Sequence, residues 1–145
     1  YNDALDEVSF PSLTEVDSSI YAYSLASSAI FYAPALETIN GALYIYSNSQ
    51  METIDVSALT DVATIYIESN DSLESIDMSA LVEASDSFRI AHHSQLEHVD
   101  LSALVTLASS VYIYNNDSLV NIDFSSIQEI SVSSTSSTTD RNSAA

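Results

Sequence analysis

The sequence contains no cysteine and one glycine, and it sets 2 basic residues against 21 acidic ones in 145 positions. The missing cysteines exclude a disulfide framework and thiolate metal sites. The formal net charge of -19 excludes a nucleic-acid partner, because phosphate binding requires clustered Lys and Arg. It disfavours an anionic membrane surface for the same reason, and it suits solubility, divalent cations or basic partners. No apolar run approaches the roughly 20 residues of a membrane-spanning helix, so no membrane span is expected. The chain opens on Tyr1 without a methionine or a signal peptide, which reads as a processed product or an excised piece. What is present is a 46% apolar composition, enough to bury the core of one domain and too apolar for disorder.

The sequence repeats itself. "SNDSLESIDMSAL" begins at Ser69 and "NNDSLVNIDFSSI" at Asn115. The last residue of the "SAL" triplet recurs as Leu13, Leu36, Leu59, Leu81, Leu104 and Ile127, at spacings of 23, 23, 22, 23 and 23. Three further apolar columns keep this register: Val8 to Ile122, Val16 to Ile130, and Ile20 to Val111. Within a unit the period is two, as in "LYIY" (43–46) and "VYIY" (111–114), which is the pattern of a strand with one buried face. "SNDS" and "NNDS" are turn chemistry. A unit this short cannot bury its apolar face alone, whereas stacked units make each column a continuous interior row. The expected fold is all-β, a β-solenoid of about six coils of 22–23 residues over 1–132, the last incomplete. At about 4.8 Å per rung it would be roughly 29 Å long. Residues 133–145 are Ser/Thr-rich and read as a flexible or O-glycosylated tail or linker.

The pattern L-x-x-I-D-x-S-A-L-x-x-V-x-x-x-[IV]-Y-I-x-x-N resembles the leucine-rich repeats of receptor L domains, and those of glycosylphosphatidylinositol-anchored fungal cell-wall proteins in particular. The resemblance spans about residues 5–132 and implies an extracellular, glycosylated, mostly non-enzymatic surface protein. The chain departs from that family in lacking its cysteines, and in placing Ser and Ala where the family often has glycine; Gly41 stands alone.

Seven of the nine tyrosines fall in two adjacent outward columns: Tyr21, Tyr44, Tyr66 and Tyr112, interrupted by Arg89, and Tyr23, Tyr46 and Tyr114. They serve either as strand residues that stack between rungs or as a binding face for sugar rings or protein. Asp55, Asp77, Asp100 and Asp123 form a ladder whose mutual repulsion calls for backbone N–H groups, water or a cation; hydrogen bonding or solvation is the expected answer, and calcium the alternative. Arg89, His92, His93 and His98 make one coil irregular, and this is read as surface drift rather than a metal site. Asn48, Asn70, His93 and Asn116 share one turn column, in which Asn70 and Asn116 head glycosylation sequons expected to be exposed.

"YNDAL" (1–5) aligns with "NNDSL" (115–119), so the chain enters its first rung in mid-turn, and the open rung edge is expected to be covered by a preceding domain, a crossing loop or another copy. The outward columns are uniform rather than convergent, so no enzyme, catalytic residue, metal or cofactor is expected. The expected function is that of an extracellular structural or adhesive protein that self-associates into filaments through its ends or its tyrosine face. The alternative is a recognition module that binds a glycan or a protein on that face.

Overall fold

A computed structural model describes residues 4–108 and 110–131; the Ser/Thr-rich tail expected at 133–145 lies outside them. The described residues contain strands and turns and no helix, and they wind as a β-solenoid of about five turns of about 23 residues. The six rungs foreseen in the sequence appear in the shorter of two parallel sheets. It stacks, in order, β1 (Glu7–Ser9), β4 (Ile30–Tyr32), β6 (Thr53–Asp55), β8 (Ser75–Asp77), β10 (His98–Asp100) and β13 (Asn121–Asp123). The longer sheet contains β2 (Glu15–Val16), β3 (Ile20–Tyr23), β5 (Thr38–Tyr46), β7 (Asp61–Glu68), β9 (Glu83–Ala91), β11 (Thr106–Ala108), β12 (Ser110–Tyr114) and β14 (Glu129–Ser131).

Parallel pairing puts equivalent residues of successive coils beside one another. Val8 pairs with Phe31, Phe31 with Ile54, Ile54 with Ile76, Ile76 with Val99, and Val99 with Ile122. The space between the two sheets is filled by these rows and by Leu36, Leu59, Leu81 and Leu104, each fully buried. Burial relaxes toward both ends of the stack, where Val8, Leu13, Ile122 and Ile127 are only partly covered.

The two sheets are joined by a turn closed from Leu59 N–H to the Val56 carbonyl at 2.9 Å, with equivalents at Leu36, Leu81, Leu104 and Ile127. In the later coils an aspartate caps it: Ser57, Ser79, Ser102 and Ser125 each donate a backbone N–H to Oδ1 of Asp55, Asp77, Asp100 or Asp123, at 2.8–3.1 Å. The first two coils carry Pro11 and Pro34 at the serine position, with Ser9 and Tyr32 in place of the aspartate. Proline has no N–H to satisfy and presets the turn. Where the donor is absent, so is the acceptor. The aspartate ladder is thus a row of turn caps, as its hydrogen-bonded reading required, and the Ser125 bonds hold the Asp123 carboxyl below its ordinary range.

The single 22-residue step has a local cause. Between Val62 and Thr64, β7 has one residue fewer than β5 and β9, so the register shifts on either side of it. The shortfall leaves a shallow notch of about 190 Å³ lined by Asn40, Asp61, Ala63, Glu83 and Ser85 among others. Gly41 lies in the β5 irregularity, where its N–H donates to the Ser18 carbonyl at 2.9 Å. A Cβ there would sit 2.5 Å from that same carbonyl oxygen.

Gly41→Ala is therefore expected to cost about 1–3 kcal/mol by overpacking against backbone, read as a lower urea midpoint at an unchanged slope. Asp77→Ala is expected to cost about 1 kcal/mol for the lost cap. In a Ser79→Pro background the same aspartate change should cost nearly nothing, because the donor is gone, and a denaturation-based double-mutant cycle measures the difference.

Candidate binding face

Each long strand ends in a corner. Ser24, Ser47, Ser69, His92 and Asn115 adopt a left-handed backbone there, with φ of 52–60°. These residues are not glycine, and the conformation costs about 1–2 kcal/mol at each, so other groups must hold each corner in place. The corners at Ser24, Ser47, Ser69 and His92 are held by a side chain one coil further on: Asn48, Asn70, His93 and Asn116 respectively. The Asn48 Oδ1 accepts the Leu25 N–H at 3.0 Å, and its Nδ2 donates to the Ala22 carbonyl at 3.0 Å. Asn70 does the same for the Asn48 N–H and the Ile45 carbonyl. Asn116 does the same for the His93 N–H and the Ile90 carbonyl. Each side chain closes the corner of the coil before it, so the ladder has a direction.

His93 is a member of this ladder and not surface drift. It is fully buried. The Asn70 N–H donates to its Nδ1 at 3.3 Å, while its Nε2 lies 3.2 Å from the Ile67 carbonyl and donates to it. Nδ1 also lies 3.2 Å from the Asn70 carbonyl; in the neutral Nε2–H tautomer one nitrogen accepts and the other donates, as the asparagine amide does. Burial, opposed by the backbone bonds, holds its pKa below the ordinary 6.5.

The expectation that this column is exposed is corrected here. Asn48 and Asn70 are fully buried, and Asn116 is partly so. The amide nitrogens of Asn70 and Asn116, at which the sequons would carry a glycan, are spent on the Ile45 and Ile90 carbonyls at 3.1 Å. A glycan on Asn70 would break that bond. The left-handed residue before each ladder position turns its side chain inward, which a turn motif read alone does not reveal.

The tyrosines do face outward. Tyr21 and Tyr44 stack with ring centroids 4.7 Å apart, and Tyr23 and Tyr46 at 5.1 Å. Tyr66 tilts against Tyr44 and meets Tyr46 edge-on. Tyr21 is 62% exposed and Tyr112 49%. Tyr44, Tyr46 and Tyr66 are half-buried in the middle, while Tyr23 and Tyr114 are exposed. The structure thus brings Tyr21, Tyr23, Tyr44, Tyr46 and Tyr66 into one contiguous ring array. Tyr112 and Tyr114 lie beyond it across β9.

The gap between them is closed by a group the sequence reading did not assemble. In the second tyrosine column the register puts Glu68 and Ala91 between Tyr46 and Tyr114. Arg89, from the first column, reaches across. Its Nε and Nη2 donate to Glu68 at 2.9 and 2.8 Å, and Nη2 also donates to the Tyr114 hydroxyl. The guanidinium lies 5.4 Å from the Tyr66 ring centroid and 5.0 Å from that of Tyr114. The Arg89 bond holds the Glu68 carboxyl below its ordinary value. The Tyr66 hydroxyl is raised, first by its hydrogen bond to Glu68 and then by burial. His92 packs edge-on against Tyr114, with Nε2 3.7 Å from Glu68 Oε1. His98 stands apart beside Glu97. The signal in the sequence was that Arg89, Glu68 and Ala91 all break the tyrosine columns within one turn of each other.

Among the described residues, no group of three or more His, Cys, Asp or Glu side chains is placed to hold a metal ion. No helix there is long and apolar enough to cross a membrane. In comparisons with protein-family models, curated proteins and solved structures, nothing matches this chain.

His93 sets a pH dependence. Unfolding frees the ring to bind a proton with ordinary affinity, whereas the folded ring resists it. Below about pH 6.5 the unfolded chain therefore holds more protons, and stability falls with pH until the folded ring itself titrates. His93→Asn keeps the ladder without the titration. The variant is expected to lose less stability than the parent between pH 7.5 and pH 5, measured by urea unfolding at each pH.

Proposed function

We propose that the chain is an extracellular, cell-surface structural protein of the receptor L-domain-like leucine-rich-repeat kind, which adheres and self-associates without enzymatic activity. The observation that carries this reading is the tyrosine array on the longer sheet: two stacked pairs at 4.7 and 5.1 Å, with Tyr21 and Tyr23 more than half exposed. Phenol rings held in place by their neighbours lose little side-chain freedom on contact, and they offer both an apolar face and a hydroxyl. The net charge of -19 repels two copies, whereas the tyrosines are uncharged and the Glu68 among them is paired with Arg89, so this face is the natural place for lateral contact.

A second reading is favoured by the flatness and spacing of the same rings, which suit stacking against sugar rings or an aromatic-rich protein surface. The chain would then be a recognition module with a glycan or protein ligand.

One pair of assays separates the two. Beads coated with the protein should cluster at moderate salt, and Tyr44→Ser with Tyr112→Ser should reduce clustering at least tenfold while the circular dichroism spectrum is retained. If the beads stay dispersed and a glycan or protein array instead gives a signal that these two substitutions abolish, the recognition reading holds. If neither signal depends on the tyrosines, the face is only a set of cross-rung contacts.

A further inference from the structure

We infer that the tyrosine face of the longer sheet docks a basic polypeptide, whose arginine side chains seat on the rings as Arg89 does within the chain; the inference rests on the reading of this face as a recognition surface with a protein ligand.

Arg89 supplies the argument, because it shows how this face takes a guanidinium. The group lies 5.4 Å from the Tyr66 ring centroid and 5.0 Å from that of Tyr114. It donates to the Tyr114 hydroxyl and, through two nitrogens, to Glu68. A planar cation against phenol rings, with a hydroxyl and a carboxylate to accept its N–H groups, is a complete arginine seat. The seat lies inside the stack, since β7 with Tyr66 and Glu68, and β9 with Arg89, each have a paired strand on either side.

The same surface continues along the sheet without a cation of its own. Tyr44 and Tyr46 on β5 are half-buried and pack against Tyr66 on one side and against Tyr21 and Tyr23 on the other. Their rings are held by these neighbours, so contact with a partner costs little side-chain ordering. Among the described residues Arg89 is the sole Lys or Arg, and it is spent on Glu68. Further along the same strands, Asp61 and Glu83 stand side by side in register at the notch. Two carboxylates one strand spacing apart repel, and a partner's cation relieves that repulsion. At roughly 3.3 Å per residue, Asp61 lies about 17 Å from Tyr66 along β7. An extended segment covers that distance in about five residues, placing one basic side chain at the notch and another among the rings.

The charge of the chain decides what the occupant is. A second copy brings 2 basic residues with 21 acidic ones, so its approach adds repulsion. A basic partner is drawn in from a distance and meets acceptors on arrival. Arginine suits the seat better than lysine, because a guanidinium lies flat on a ring while donating in its own plane, whereas an ammonium is a strongly hydrated point charge.

The test is fluorescence anisotropy of labelled peptides titrated with the full chain at about 0.05 and 0.15 M NaCl. The peptides are one of alternating arginine and serine, its lysine counterpart and its glutamate counterpart. The arginine peptide is expected to bind, more weakly at the higher salt, the lysine peptide at least about threefold less tightly, and the glutamate peptide not at all. Tyr44→Ser with Tyr46→Ser leaves the charge unchanged and should lower arginine-peptide affinity about tenfold, with the parent's circular dichroism spectrum. Should that pair lose the parent's spectrum, Tyr44→Leu with Tyr46→Leu, which keeps the apolar bulk, is expected to weaken binding in the same way. Asp61→Asn with Glu83→Gln should weaken binding more than Glu74→Gln with Glu97→Gln, which removes the same charge beside the shorter sheet. Binding that the tyrosine variants keep at parental strength overturns the inference, since charge alone then accounts for it. So does a lysine peptide that binds as tightly as the arginine one, and so does an arginine peptide that does not bind. In that last case, a glycan or protein array signal that the Tyr44→Ser and Tyr112→Ser substitutions abolish leaves the recognition reading standing, and the lack of any such signal removes both.

Discussion

Everything in this molecule depends on parallel backbone pairing between coils held in one register. A coil of about 23 residues has too little apolar surface to fold alone. It becomes stable only when the coil above and the coil below present the same side chains at the same places. That condition makes the interior rows continuous, keeps Phe31, Ile54, Ile76 and Val99 almost wholly out of water, and brings equivalent polar groups into repeated contact. The register tolerates one lapse, the residue missing from β7, because the lapse falls at an irregularity in the longer sheet and is absorbed before the next apolar column. The price is the notch between Asn40 and Ser85.

The polar groups then divide between two devices. At one corner, a carboxylate caps the turn of its own coil, and two coils dispense with it by using proline. At the other, an amide or an imidazole closes the coil before it. The second device does more, because it ties neighbours together through the interior and gives the stack a direction. His93 belongs to this logic. A ring with one donor and one acceptor replaces an amide with one of each, and the substitution makes the corner sensitive to acid. The Glu68–Arg89 pair solves a different problem, bridging the tyrosine columns where Ala91 leaves no ring to stack on. On a chain of this net charge the pair is also a local point of neutrality within the aromatic face.

Much of this was legible in the residues. The four apolar columns determined the period, the all-β class, the number of rungs and which side of each strand is buried. Alternation alone put Tyr21, Tyr44, Tyr23 and Tyr46 outside, and repulsion along the aspartate ladder called for N–H groups, which Ser57, Ser79, Ser102 and Ser125 provide. The asparagine column was misread as exposed, because turn composition does not report the sign of φ. The left-handed residues Ser47, Ser69, His92 and Asn115 swing the ladder side chains that follow them inward. The inward turn of His93 is hidden from the sequence for the same reason, and the role of Arg89 because its partners lie in a neighbouring coil and a neighbouring column.

The sequence by itself determined what repeats: where the chain turns, how long each coil is, and which residues stand in line along the stack. Only the tertiary structure decided what each line touches. Periodicity is a one-dimensional property, and it cannot tell a side chain at a corner whether the preceding peptide points it toward water or toward the carbonyls of the coil before. That choice depends on coils already being stacked, since a buried amide is favourable only when the groups it must satisfy are there to meet it.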